Sequence, residues 1–232
     1  MENFDLPIRI ICATRIGQNE FLSKTATGKS IKNFINVSKV EVRLYANNST
    51  PLGILYNQAI EESKESPAIL IFMHDDIWLG DYFWAQRIRD GLSHWDIIGL
   101  AGNKRRVSGQ PSWAFVNDKF QWDEAKNLSG AVGHGNVYPP MAVTPFGPIN
   151  QECKLMDGLF LGVKSETLLK SGLRFDEQFK FHFYDLDFCR QAEVLNLKMG
   201  TIGLAVAHES GGNFNSDAWK LAYQYYLHKW KE

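Results

Sequence analysis

Four short apolar runs, separated by stretches of helical spacing, constrain the fold of this chain more than any other feature. The first, 8–13 (IRIICA), is β-branched and bounded, as a buried strand requires. It is followed by 18–35, where Phe21, Leu22, Ile31, Phe34 and Ile35 recur at helical intervals. A second strand is predicted over 37–45, alternating through Val40, Val42 and Leu44. After the loop 47–51, residues 52–63 read as a helix. The third strand, 68–73 (AILIFM), precedes a helix over 81–93 with Phe83, Trp84, Ile88 and Leu92 at helical spacing; 96–102 (DIIGLAG) is the fourth strand. Strands that alternate with helices in this way predict an α/β fold with a mostly parallel central sheet and helices on both faces.

The alternation stops between Asn103 and Cys153, where Gly, Pro, Asn and single Trp residues fall without a sustained period. Hairpins and a long loop are expected there, and an irregular insertion of that length in a compact domain is usually functional. Regularity returns with a strand over 155–163, a short helix (SETLLKS), a turn (LRFDE), a helix over 185–196 and a strand over 199–207. An aromatic-rich helix over 217–230 closes the chain. At 232 residues the chain is expected to form a single domain: 8–102 as a first half, 103–212 as a second, and 213–232 as a C-terminal helix.

Composition removes several classes of function. Twenty-five Lys and Arg against 26 Asp and Glu give a net charge of -1, so no bulk field draws the chain to nucleic acid or an anionic membrane. The longest apolar run, 68–73, is far too short to span a bilayer, and the acidic start MENFDLP lacks the basic residues of a signal peptide. Cys12, Cys153 and Cys189 are odd in number and lack metal or redox spacing, so a reducing cytoplasm is the expected location. Aromatic residues make up 13% of the chain, with seven Trp, which suits a cleft for flat apolar faces such as bases or sugar rings.

Three clusters carry candidate chemistry. His74-Asp75-Asp76 closes the strand 68–73, where ligands of open α/β sheets bind. Alternation along an extended backbone puts His74 and Asp76 on one side and Asp75 on the other, so one face presents an imidazole and a carboxylate to a cation. Spacing alone leaves a simple helix cap equally open. In the run Phe181 to Arg190, Asp185 and Asp187 are about 200° apart on a helix, so only one of them can face a cleft. Two ordinary first-turn carboxylates are the plain alternative. His208 leaves the strand 199–207 into Ser210-Gly211-Gly212, either as a metal ligand or as a structural histidine. Two further motifs are decoys by their context. Thr27-Gly28-Lys29-Ser30 imitates a phosphate loop but has Ser23 where glycine is needed and lies inside a helical pattern. Lys104-Arg105-Arg106 reads as a solvated loop, with a pyrophosphate contact as the sharper option.

Taken in order, these segments resemble a nucleotide-sugar glycosyltransferase of the glycosyltransferase-A fold, family-2-like, in the branch typified by the StrF-type domain of streptomycin biosynthesis. The carrying residues are Asn57, His74-Asp75-Asp76, the stretch Met156 to Gly162, Phe175-Asp176-Glu177, Phe181 to Arg190, His208 and Ser210-Gly211-Gly212. The resemblance runs from about Ile8 to Gly212 and is weakest between Asn103 and Lys154.

The resemblance implies a metal-dependent, inverting transfer of a sugar from a nucleotide donor to a hydroxyl acceptor. The strand-end aspartates of such enzymes hold a divalent cation and the donor diphosphate; Asp76 matches the second of them, and His74 stands where the first is usual. A His and carboxylate pair suits Mn²⁺ better than Mg²⁺, which prefers an all-oxygen shell. His208 matches a histidine that completes the metal shell, and Asp185 matches the catalytic base, with Tyr184 replacing the glutamate that usually precedes it. On the donor side the expected contacts are Cys12, Ala13, Thr14, Arg15, Asn47, Asn57, Asp75 and Asp76; on the acceptor side, Asp157, Gly158, Trp113 and Tyr184, with Trp122 beside them. The partners implied are a nucleotide sugar and a glycan or small-molecule acceptor, without nucleic acid. Because His74 and Tyr184 depart from the pattern, a non-catalytic nucleotide-sugar or glycan-binding module on a degenerate transferase fold is the alternative. A nucleotidyltransferase is weaker, since Arg15-Ile16-Gly17 makes a poor phosphate loop.

Overall fold

The computed structural model describes residues 6–34 and 40–232; the predicted strand residue Val37 and the helix residue Ile35 lie outside the described residues. The chain contributes β1 (Ile8–Ala13), α1 (Gln18–Lys24), α2 (Ala26–Phe34), β2 (Val40–Tyr45), α3 (Leu52–Glu62), β3 (Ile69–Met73), β4 (Ile77–Leu79), α4 (Trp84–His94), β5 (Ile97–Gly99) and β6 (Ala101–Asn103). Then follow β7 (Leu128–His134), β8 (Ala142–Gly147), β9 (Leu155–Met156), β10 (Phe160–Lys164), α5 (Ser165–Ser171), α6 (Tyr184–Val194), β11 (Met199–Thr201), β12 (Val206–His208) and α7 (Asp217–Trp230).

The strands form two sheets. The first has the order β11-β5-β10-β3-β1-β2 and is parallel except for β10, which runs antiparallel to both β3 and β5. Every residue of β3 is buried, as a central strand covered on both faces demands. The second sheet has the order β4-β12-β7-β6-β9, with β8 on the other edge of β7. The insertion expected to be irregular therefore supplies the β7–β8 hairpin, whose Gly130, Gly133 and Pro145 blur the strand period.

Three predicted strands are each divided between the sheets. The run 96–102 becomes β5 and β6, broken at Leu100; 155–163 becomes β9 and β10, with a turn at 157–159; 199–207 becomes β11 and β12. Both halves of each run are buried, so apolar composition does not change where the chain passes from one sheet to the other. The step from β3 to β4 is a fourth crossing, and it carries His74, Asp75 and Asp76.

The predicted helix 18–35 is two helices. Thr25 is extended, and its Oγ1 accepts the Gly28 N–H at 2.9 Å, so a capping threonine restarts the helix. The phosphate-loop decoy lies in α2 as a structural brace. Thr27 Oγ1 donates to the His74 carbonyl at 2.7 Å and accepts the Ile77 N–H at 3.2 Å, while Ser30 Oγ accepts the Leu79 N–H at 3.0 Å. The basic run is also structural: Arg105 pairs with buried Asp123 through Nε at 2.8 Å, and Arg106 reaches Glu193 and Glu232. No described helix is long and apolar enough to cross a membrane.

Candidate active site

The site is built where the chain changes sheets. His74 continues β3 by donating its N–H to the Leu159 carbonyl at 3.1 Å, and Asp76 accepts the Glu209 N–H at 3.1 Å. The β3–β4 crossing is thus pinned to the β9–β10 turn on one side and to the end of β12 on the other. These bonds bring His74, Asp76 and His208 into one cluster whose ligating atoms all lie within 4.8 Å of one another. As alternation predicts, Asp75 turns the other way, and its Oδ2 accepts the Thr14 hydroxyl at 2.6 Å.

Asp76 Oδ1 is the centre of the cluster. It lies 3.2 Å from His208 Nε2 and 3.9 Å from His74 Nδ1, yet it is buried and makes no aligned hydrogen bond among the described residues. The nearest of these neighbours, His208 Nε2, is itself 3.0 Å from the Ser210 hydroxyl. Burial opposes the charge of Asp76, but His208, His74 and the Ser210 hydroxyl outweigh that and hold the Asp76 carboxyl at about 2. Burial lowers the pKa of His74, against the opposing pull of the Asp76 carboxylate. In His208 burial acts the same way, but the Asp76 carboxylate beside it prevails and the net shift is upward. Two imidazole nitrogens and one carboxylate oxygen gathered in this way fit a divalent cation of the Mn²⁺ or Zn²⁺ type.

Asp185 lies in the first turn of α6, and its two oxygens are held by the N–H groups of Gly158 and Leu186, both at 2.9 Å. The helix start favours its charge, but burial works harder, and with Asp157 nearby its pKa is raised to about 7. The charge of Asp157 is felt by Asp185 and also by His74 and His208. Asp157 Oδ2 accepts the Trp113 indole N–H at 2.7 Å, and its Oδ1 accepts the Leu159 N–H at 2.9 Å. Phe183, the residue before α6, is held at φ 65, unusual for a side chain of its size. Trp219, Tyr223 and Tyr226 of α7 pack around its ring, at centroid distances of 5.3, 5.4 and 5.3 Å. The C-terminal helix thereby fixes the turn that aims Asp185.

Asp187 faces away, as the 200° spacing requires. Its fully buried carboxylate is met by Lys229 at 2.7 Å and by the Trp230 and Gln191 side chains at 2.9 and 2.7 Å.

Other expected contacts are placed differently. Ala13, Thr14, Arg15 and Asn47 gather at the ends of β1 and β2, laced by Thr14 N–H to Tyr45 O at 3.0 Å and Asn47 N–H to Ile16 O at 3.0 Å. Cys12 is fully buried, so its thiol lines no pocket. The Asn57 amide is consumed by a two-way clamp on the backbone of Phe175, at 2.9 Å in each direction, and by Glu177 at 3.1 Å. Tyr184, expected on the acceptor side, is 3% exposed with its hydroxyl engaged inside the protein, so it offers nothing to an acceptor. Trp113 is likewise buried and supports Asp157, whereas Trp122 is 52% exposed and stacks on Phe146 at 5.9 Å.

No family model matches the chain, and no curated protein sequence matches it. Among solved structures the chain is similar to GalNAc-T7, determined with UDP, GalNAc and Mn²⁺, with a TM-score of 0.51 and 10% identity over 96% of this chain and 48% of that one. It is also similar to the catalytic domain of Drosophila β1,4-galactosyltransferase 7 in complex with xylobiose, with a TM-score of 0.50 and 11% identity over 94% of this chain and 79% of that one. S. aureus TarS 1-349 is similar at a TM-score of 0.47 and 11% identity, over 88% of this chain. The chain spans 60% of that TarS chain and about half of GalNAc-T7. At such identities the likeness establishes the fold: a mixed α/β arrangement of the glycosyltransferase-A type.

Proposed function

We propose that this chain is a nucleotide-sugar glycosyltransferase that moves a sugar, with inversion, from a nucleoside-diphosphate donor to a hydroxyl acceptor. The observation that carries this reading is the His74, Asp76 and His208 cluster, linked to the raised carboxyl of Asp185 through Gly158, which donates its N–H to Asp185 and accepts the Tyr184 hydroxyl that also meets the His74 ring. The glycosyltransferase-A fold adds support, although one fold hosts many chemistries and the site must carry the argument.

His74 Nδ1, Asp76 Oδ1 and His208 Nε2 would hold the cation, Mn²⁺ in preference to Mg²⁺ because two of three donors are nitrogen. When bound, it supplies charge neutralisation to the diphosphate leaving group. Ala13, Thr14, Arg15 and Asn47 line the donor side, with Asp75 kept in place by Thr14. Asp185 accepts the proton of the attacking hydroxyl; a carboxyl raised to about 7 is a stronger base than an ordinary aspartate and still ionised at neutral pH in a large fraction of molecules. Asp157, beside it, orients the acceptor hydroxyl, and Trp122 offers an exposed ring on the acceptor side.

The test is a panel of nucleotide sugars assayed for transfer and hydrolysis with Mn²⁺ and with Mg²⁺. Turnover of one donor supports the reading. Donor affinity without turnover at any metal favours a binding module instead.

A further inference from the structure

Tyr184 has one hydroxyl proton and two partners, one buried and one half-buried. Its Oη lies 2.8 Å from the Gly158 carbonyl oxygen and 2.9 Å from His74 Nε2. A carbonyl can only accept, so the phenol proton goes to Gly158. The contact with His74 is then satisfied only if Nε2 carries the imidazole proton and donates it to Oη. In a neutral ring this leaves the lone pair on Nδ1, the nitrogen that faces Asp76 Oδ1 at 3.9 Å. A ring that offers a lone pair to a cation is the neutral one.

We propose that Tyr184 is a positioning residue: it fixes His74 as the Nε2–H tautomer and so turns Nδ1, with Asp76 and His208, toward a divalent cation. The inference rests on the metal reading given above and departs from the role in acceptor binding expected for Tyr184. The phenol is well suited to the task. It is 3% exposed, its ring packs on Tyr56 and Phe175 at 6.0 Å each, and Gly158 leaves it no slack, because a Cβ there would stand 2.4 Å from Oη. Gly158 also donates its N–H to Asp185 Oδ2 at 2.9 Å. The imidazole and the proposed base therefore hang on opposite ends of one residue, with Tyr184 adjoining Asp185 in the chain.

The test uses the whole chain with ¹⁵N-labelled histidine. Two-bond ¹H–¹⁵N spectra of the metal-free protein read the His74 tautomer directly, without any variant. Mn²⁺ affinity is measured in parallel by the loss of the free-ion paramagnetic signal, with no donor present. The wild-type protein is expected to show His74 protonated on Nε2. Tyr184→Phe keeps the packed ring and removes the hydroxyl. It is expected to show a tautomer mixture at His74 and a Mn²⁺ affinity lower by ~10–100-fold, the size typical of a lost outer-shell partner. The signals of His94 and His182, outside the cluster, should stay unchanged. A wild-type ring protonated on Nδ1, or a Tyr184→Phe protein with the wild-type tautomer and wild-type Mn²⁺ affinity, overturns the proposal. A wild-type protein that binds no Mn²⁺ yet shows the Nε2–H ring overturns the metal reading and the ligand role of His74, while the tautomer result keeps that failure separate from a failure of Tyr184.

Discussion

Gly158 donates its backbone N–H to Oδ2 of Asp185 at 2.9 Å, and a Cβ on that glycine would stand 2.8 Å from the aspartate's own Cβ. The carboxylate is thus placed by main chain, not by another side chain. Asp185→Asn preserves its shape and can still accept the Gly158 N–H, so nucleotide affinity should remain within about twofold. Transfer should fall by ~10²–10⁴-fold, the range for loss of a general base. Steady-state rates beside donor affinity check both parts.

The pH dependence follows from the same residue. Burial, then the charge of Asp157, raises the Asp185 carboxyl to about 7, and only its ionised form accepts a proton. The rate at saturating donor and acceptor should therefore fall about tenfold per pH unit below about 7. Asp157→Asn removes the second cause and should move that limb to lower pH. A kcat profile from pH 5 to 9 for both proteins measures the displacement.

Thr27 braces the metal-side crossing from outside the site, through its bonds to His74 O and Ile77 N–H. Thr27→Val is nearly isosteric but leaves two buried backbone groups without that partner, a cost of about 1–3 kcal/mol. Urea unfolding should register this loss, and Mn²⁺ affinity should weaken because the His74–Asp76 backbone is less firmly held.

Lys229→Met strands the buried Asp187 carboxylate, a loss of about 3–5 kcal/mol at neutral pH. Burial already raises the Asp187 pKa despite Lys229, and without the lysine it rises further. The folded variant then keeps a proton that the unfolded chain releases near pH ~4. Its stability deficit should grow as pH rises from about 4 and shrink in acid. Denaturation of both proteins at pH 4.5 and pH 7.5 tests the sign.

The order of strands and helices was legible because apolar period and length separate 8–13, 68–73 and 217–230 cleanly. The divided strands were not, because Leu100 is as buried and apolar as Ile98 before it and Ala101 after it. Nothing in composition marks a change of sheet. At the site, alternation correctly set His74 with Asp76 and against Asp75, and the 200° rule separated Asp185 from Asp187. The roles of Tyr184, Asn57 and Thr27 depend on partners 26, 118 and 47 residues away, so no local pattern could announce them. Even so, Thr25, three residues before Gly28, was a readable capping signal, and the break in the predicted helix 18–35 could have been found from it.

The proposed function requires His74, Asp76 and His208 to hold a cation that a nucleoside diphosphate needs for binding. Titration calorimetry with UDP, GDP, CDP and dTDP, each in Mn²⁺ and in EDTA, tests it on the wild-type chain and on Asp76→Ala. At least one nucleotide should bind the wild-type protein in Mn²⁺, its binding should be lost in EDTA, and Asp76→Ala should bind none of the four in either condition. Equal affinity in Mn²⁺ and EDTA, or wild-type affinity in Asp76→Ala, contradicts it.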